Sequence, residues 1–558
     1  MIEANRVSAE EEYYDLGSNV HMDIGTSSKD AQVWFDRGLT WAYGFNHDEA
    51  ARCFEQAILH DASSAMGYWG LAYALGPNYN KSWWAFDPKE LKRNVDKGHW
   101  AVEQGLKVAK TAFEKDIVEA VGCRLPESDF QAANEAYAAA MRKVYHAHNG
   151  EQNIHLLTVA AEALMNTASR ALYESGSGKP IPSTPVFEVK DMLEKGLKLP
   201  GASKHPGVLH LYIHLMEMSA TPEAALLAAD NLRTLVPDSG HIHHMPSHIY
   251  TLVGEYHRAV DTNMNATIVD DKYFKKMGGS NFYSVYRLHD YQSLIYAAML
   301  AGLQQVALET TDRMEATITE DLLRMESPPM ANWMEFFFSV RVHVMIRFGM
   351  WEELKKLPVP EDQELYCGTV AITHYGRALA HAATRNIDAA EKERTNFREA
   401  AKRIPPSRLM FPNKVIDILQ VAHAMLDGEL EYRKGNYTEA FEHLRVAIKR
   451  DDNLLYTEPW NWMLPTRHPL AALLLEQGHV EEAAALYAED LGFDETSNCP
   501  KHPNNVWALH GYHECLVRLG RDAEASIINR QLTVARAGSD FPIKSSCACR
   551  LGTQTCTK

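Results

Sequence analysis

A spacing of bulky and small residues that recurs along the chain constrains its fold more than any other feature. In AQVWFDRGLTWAYGFNHDEAARCFEQAILHD, Trp34, Gly38, Trp41, Ala50, Phe54 and Ala57 stand where a tetratricopeptide repeat (TPR) places its packing residues. Small residues let two antiparallel helices approach, and the bulky ones fill the space beside them. The frame returns at Ser247, Tyr250, Gly254, Tyr256, Ala259 and Ala266, and again at Gly428, Gly435, Tyr437, Ala440, Leu444 and Ala447. It continues at Ala471, Leu474, Gly478, Ala483 and Tyr487, and at His513, Leu516, Gly520 and Ala525. Strand-like alternation bounded by hairpin turns is hard to find. The expected fold is therefore all-α, an α-solenoid of TPR-like helical hairpins, superhelical, with a concave groove lined by the first helix of each pair.

At 558 residues the chain exceeds one ordinary core, and a repeat array accounts for that length. Pattern breaks at 176–185, 325–332 and 402–413 suggest sub-arrays, and 494–505 reads as a loop insertion. The expected organisation is 1–175 as N-terminal hairpins, 186–325 as a central histidine-rich set carrying the site, 333–540 as C-terminal hairpins and 541–558 as a cysteine-containing tail. In that tail SSCACRLGTQTC holds Cys547, Cys549 and Cys556. A C-x-C without a second ligand pair reads as a frayed end with free thiols rather than a thiolate metal site. The remaining five cysteines are scattered, as in a reducing compartment.

The chain resembles, over nearly its full length, a family of bacterial and fungal TPR-domain proteins. The resemblance rests on WFDRGLTWAYGFNHDEAARCFEQA, AMGYWGLAYALGPNYN, HPGVLHLYIH, HIHHMPSHIY with LVGEY after it, DDNLLYTEPWNWMLPTRH and the closing SCAC. It implies a TPR-like helical fold and supplies no reaction. The chain departs from the family pattern in the longer loop at 494–505, in Asp290 after His289 where relatives often have Asn, and beyond Cys549.

Between His205 and His248 fall seven histidines, where an even spread of 26 over 558 residues would give about two. Pro206 suits the first position of a helix, because its missing amide hydrogen would go unused there. His210 and His214 then share a face with Glu217 one turn on, the way one helix offers two nitrogens and an oxygen to a metal. In HMPSHIY, Pro246 marks another helix start, with His248 in its first turn and His244 from the loop ahead. Both segments read as first helices of successive hairpins, which aims two incomplete ligand sets at one groove. His289 is a further nitrogen ligand, and Tyr250 and Tyr286 are placed to bond a substrate or orient a ligand. Glu162 lies on the preceding hairpin.

Two aromatic stretches have a less specific reading. Trp83 and Trp84 either wall a pocket or cap the solenoid, and Trp460 and Trp462 belong to a segment that forms a lid or plugs an apolar gap.

Several functions lose support. A net charge of −17 with no basic cluster argues against nucleic acid. No run reaches the roughly eighteen apolar residues of a membrane span, and the acidic start MIEANRVSAEEEYYDLGS is no secretory leader; the expected location is cytoplasmic. Phosphate loops, dinucleotide fingerprints, nucleophile elbows and H-E-x-x-H are missing from the sequence.

Two readings remain. One is a metal-dependent enzyme acting on a small molecule, with metal ligands His210, His214, His244, His248 and His289, and Glu217, Tyr250 and Tyr286 in catalytic roles. Nitrogen donors suit iron or copper, with zinc possible, and oxidase or oxygenase chemistry is favoured over hydrolysis, in which Glu217 would be the base. The other is a non-catalytic TPR scaffold holding a protein or peptide partner in the groove. The helices 206–218 and 246–254 are poor in Lys and Arg, which favours a small-molecule pocket over a clamp for acidic tails.

Overall fold

The structure is a computed structural model that describes residues 2, 4–126, 128–494 and 496–550. Cys556 and the rest of 551–558 lie outside the described residues. The fold is an all-α solenoid of TPR-like hairpins, in which sequential helices pack as antiparallel pairs. It divides into two compact units, one comprising 1–249 with 265–278 and the other 250–264 with 279–558. No helix among the described residues is long and apolar enough to cross a membrane.

The first unit opens on helices Lys29–Tyr43, His47–His60 and Ala65–Ala74. Their starts are written in the sequence: the Ser28 side chain accepts from the Ala31 amide, and that of Asn46 from the Glu49 amide. Phe54 is fully buried between two glycines. A Cβ added at Gly38 would stand 2.8 Å from the Phe54 ring, and one at Gly70 would overlap it. The repeat spacing thus works as expected, with glycines on two flanking helices giving room to one aromatic. Further along, Thr111 and Glu114 form a reciprocal capping box at the start of Ala112–Gly122.

The same logic shapes the second unit. Val415–Lys434 pairs with Tyr437–Asp452, and a Cβ on Gly428 would come within 2.6 Å of Leu444. Gly435 ends the first of these helices at φ +88°, a left-handed conformation that glycine adopts without a side-chain clash. The break at 402–413 contains the beginning of a small ribbon in which Leu409–Met410 pairs antiparallel with Asn413–Lys414.

Three sequence features take definite places. Trp83 is buried while Trp84 is 56% exposed, so the two do not act as a pair. Trp462 plugs an apolar gap, edge-on to Tyr375 and to the buried His343. The 496–505 part of the insertion is pinned, because His502 and Asn505 both bond to the buried Asp490.

The tail differs from expectation. Instead of fraying, 546–550 is tied down: Arg347 donates to the Ser546 carbonyl, Arg433 to the Cys549 carbonyl, and Arg550 makes two bonds to Glu514. Cys547 and Cys549 are joined as a disulfide, while Cys53, Cys123, Cys367, Cys499 and Cys515 are free thiols. Buried cationic partners for the backbone, which no tail composition announces, hold this end in place.

Candidate functional site

The histidine-rich helix Pro206–Met216 docks close to the end of Lys29–Tyr43 because Gly207 faces the Tyr43 ring, where a Cβ would stand 2.7 Å away. Pro206 occupies the first turn as expected, and His205 caps it by accepting from the Val208 amide at 3.1 Å. From this helix His210 and His214 project one turn apart, ring centroids 4.7 Å from each other.

The second contribution comes from GHIHHMPSHIY. The sequence places His244 in a loop, but it ends the five-residue helix Gly240–His244, directly before Pro246–Leu252. His241 and His244 share the face of that short helix, and His248 follows one turn into the next. All five imidazoles and Glu217 belong to the first unit, and none is more than 2% exposed.

The ring nitrogens of His210, His214 and His241 lie within 4.8 Å of one another, as do ligand atoms of His214, Glu217 and His248. Donors around a four-coordinate ion with metal–nitrogen bonds near 2.0 Å stand roughly 3.3 Å apart, so small rotations separate this geometry from a closed site. Nε2 of His244 and Nε2 of His248 are already 2.7 Å apart.

Hydrogen bonds fix which nitrogen carries a lone pair. His210 Nδ1 lies 2.6 Å from the Tyr43 carbonyl oxygen, which can only accept, so Nδ1 is the protonated nitrogen. Its Nε2 is fully buried with no hydrogen-bond partner. Burial, reinforced by the neighbouring His214, holds the His210 imidazole well below its usual pKa and therefore neutral. His241 is held low in the same way, by burial and then by His210. Glu217 accepts from His214 Nδ1 at 2.9 Å on one oxygen and from His248 Nδ1 on the other. Both rings are thereby oriented with Nε2 as the acceptor nitrogen, the role a carboxylate plays behind metal-bound histidines.

An aromatic cover completes the cluster. Phe45, between the first two helices, has φ +57° and places its ring 4.3 Å from His210 and 5.6 Å from both His214 and His241. A left-handed phenylalanine is sterically costly and persists only when its surroundings hold it. Tyr79 packs on His214 at 5.1 Å.

His205 and His243 of the histidine run, and His155 beside His205, are structural. His155 Nε2 bonds the His21 carbonyl, while its Nδ1 receives Tyr43 Oη at 2.9 Å and His205 Nε2 at 3.1 Å. With the Val208 amide on His205 Nδ1, every nitrogen of that pair is used. His243 bonds the Pro237 carbonyl. Glu162 pairs with Arg124 at 3.6 Å and receives the Tyr73 hydroxyl and the Asn166 amide, a self-contained buried ion pair.

Of the residues singled out from sequence, the structure brings together His210, His214, Glu217, His244 and His248. Tyr250, Tyr286 and His289 belong to the second unit. There Arg258 donates to Tyr250 Oη at 3.0 Å and lies over its ring, and Tyr286 packs edge-on to Phe282. His289, half-buried on Tyr283–Ala301, receives the Ser293 hydroxyl on its carbonyl. Sequence reasoning did not single out His241, whose signal was its three-residue spacing from His244. It also passed over Phe45, for which the sequence offers no signal.

No family model matches the chain, and no curated protein matches it. Among solved structures it is similar to Naa15/Naa10 bound to HypK-THB, at 14% identity and TM-score 0.22, covering 91% of this chain and 70% of that one. Yeast Tom70 is similar at 13% identity and TM-score 0.30, over 91% and 93% of the two chains. The APC/C hetero-tetramer Cut9-Hcn1 follows at 11% identity and TM-score 0.23, over 92% and 95%. Such likenesses belong to helical architecture and say nothing of function.

Proposed function

We propose that this protein is a TPR-like scaffold whose first unit binds a transition-metal ion in its buried histidine cluster. The observation that carries this reading is His210: its proton is committed to the Tyr43 carbonyl, which leaves a neutral, fully buried Nε2 facing two more imidazoles with no hydrogen-bond partner of its own. Leaving such a lone pair unsatisfied costs free energy that a metal–nitrogen bond would recover. His210, His214 and His241 are the proposed ligands, with His244 and His248 adjoining them and Glu217 as the carboxylate that orients His214 and His248. A nitrogen-rich set suits iron, copper or zinc rather than magnesium or calcium.

The helical-repeat fold supports a protein- or peptide-binding role more directly than catalysis. Both Glu217 oxygens are engaged by imidazoles, which commits this carboxylate to orienting the rings rather than to acting as a base. Turnover of a small molecule, by oxidation or hydrolysis, is a further step that requires an open coordination position on the ion.

Elemental analysis of protein purified without a metal-affinity tag tests the metal reading. Near-stoichiometric iron, copper or zinc, lost in His210→Ala and His214→Ala while helicity is retained, is expected. Metal-free protein that also fails to bind added Zn²⁺, Cu²⁺ or Fe²⁺ by calorimetry would overturn it.

A further inference from the structure

A cavity in the second unit has Cys547, Ala548, Cys549 and Glu429 in its wall. The rest is largely apolar, with Tyr375, Leu379, Met425, Trp462 and Leu464 among its lining side chains. One Glu429 oxygen and both cysteine sulfurs lie within 4.8 Å of one another. A disulfide spanning two residues closes so short a loop that it restrains the unfolded chain little, so stapling the fold gives no reason for it. The other five described cysteines being free thiols, this one bond stands out as redox chemistry rather than a disulfide framework. The segment carrying it is held by Arg347, Arg433 and Arg550, so the sulfurs are presented to the cavity by a fixed backbone.

We propose that the Cys547–Cys549 pair and the cavity beside it form a thiol–disulfide exchange site for an apolar low-molecular-weight thiol. Cys547 is partly exposed and Cys549 buried, which assigns the attacked and departing sulfurs. The thiolate of the incoming thiol bonds to Cys547 Sγ, the Cys547–Cys549 bond breaks, and its electron pair leaves on Cys549 Sγ. Glu429 is the proton donor to that departing sulfur; burial pushes its carboxyl above the usual range, partly offset by Arg433 3.4 Å away. A second thiolate attacks the sulfur of the bound thiol, releases Cys547 as a thiolate that takes a proton from water, and leaves with it as a small disulfide. Two thiols are oxidised and one disulfide reduced. Reaction with a small disulfide runs the sequence backwards and re-forms the bond. The site is independent of the metal reading for the first unit.

Full-length oxidised protein, dialysed against chelator, would be treated with benzyl mercaptan or with 2-mercaptoethanesulfonate, each rate normalised to the same thiol's rate with oxidised glutathione. Opening of the 547–549 bond, followed by alkylation and mass spectrometry, is expected to be at least tenfold faster for benzyl mercaptan. In Cys549→Ser, dibenzyl disulfide should leave a stable mixed disulfide on Cys547. Met425→Trp, which fills the cavity, should remove the preference, and Glu429→Gln should slow exchange and alter its pH profile. Equal normalised rates in the wild type, or Cys547 and Cys549 recovered as free thiols from air-exposed protein, would overturn the proposal even if a variant fails to fold.

Discussion

His214 Nδ1 lies 2.9 Å from one carboxylate oxygen of Glu217, three residues on, and the other oxygen is taken by His248 from a different helix. One buried carboxylate therefore sets the tautomer of two imidazoles. Glu217→Gln tests this, because an amide has one acceptor oxygen and a donor nitrogen and can satisfy only one of the two N–H groups. The expected result is a fall in metal affinity of roughly 10- to 100-fold, measured by competition with a chromophoric chelator. Unchanged affinity would mean that Glu217 does not orient the ligands.

Three histidines of the first unit that lie outside the proposed ligand set make its stability depend on pH. Burial pushes His47 and His205 down to about 3 and His155 to about 4. The unfolded chain regains the ordinary value near 6.5, so below that pH it binds protons that the folded chain refuses. Stability from this source is complete above about pH 6.5 and falls as pH drops toward 4, by roughly 1.4 kcal/mol per pH unit for each histidine. Urea unfolding at pH 7 and pH 5 should show the loss, and His155→Gln should reduce the slope by roughly one histidine's worth. A slope identical in the variant would refute the assignment.

Packing around Phe54 gives a prediction free of chemistry. Phe54→Ala leaves a cavity bordered by two glycines that cannot fill it, and should cost about 3–5 kcal/mol. Gly70→Val forces a branched side chain against the same ring and should destabilise by about 1–3 kcal/mol or more. Thermal melts followed by circular dichroism would show both; a neutral Gly70→Val would mean that the helices can move apart without penalty.

In the second unit, Asp490 accepts from His468 at 2.8 Å, His502 at 2.7 Å and Asn505 at 3.0 Å. Burial by itself would raise its pKa, but His468 and His502 outweigh burial and hold the carboxyl well below the usual range. Its stabilising effect is therefore present above the unfolded value near 3.9 and is lost as pH falls below that. Asp490→Asn should cost about 3–5 kcal/mol at neutral pH and expose 496–505 to protease. Proteolysis no faster than in the wild type would show that the segment is held by other contacts.

Sequence alone determined the helical hairpins, and the reason is local. Gly38, Phe54, Gly428, Leu444 and Gly435 act within one or two adjacent helices, where a fixed 3.6-residue period converts spacing into contact. The pairing of His210 with His214, one turn apart, was legible for the same reason. What tertiary structure decided was everything set by contacts between distant residues. Tyr43 gives its carbonyl to His210 across 167 positions, and Glu217 reaches His248 across 31. Arg433 anchors Cys549 across 116, turning an expected loose end into the wall of a cavity. Proton placement on an imidazole depends on the acceptor facing it, and no periodicity in a sequence records which carbonyl or carboxylate that will be.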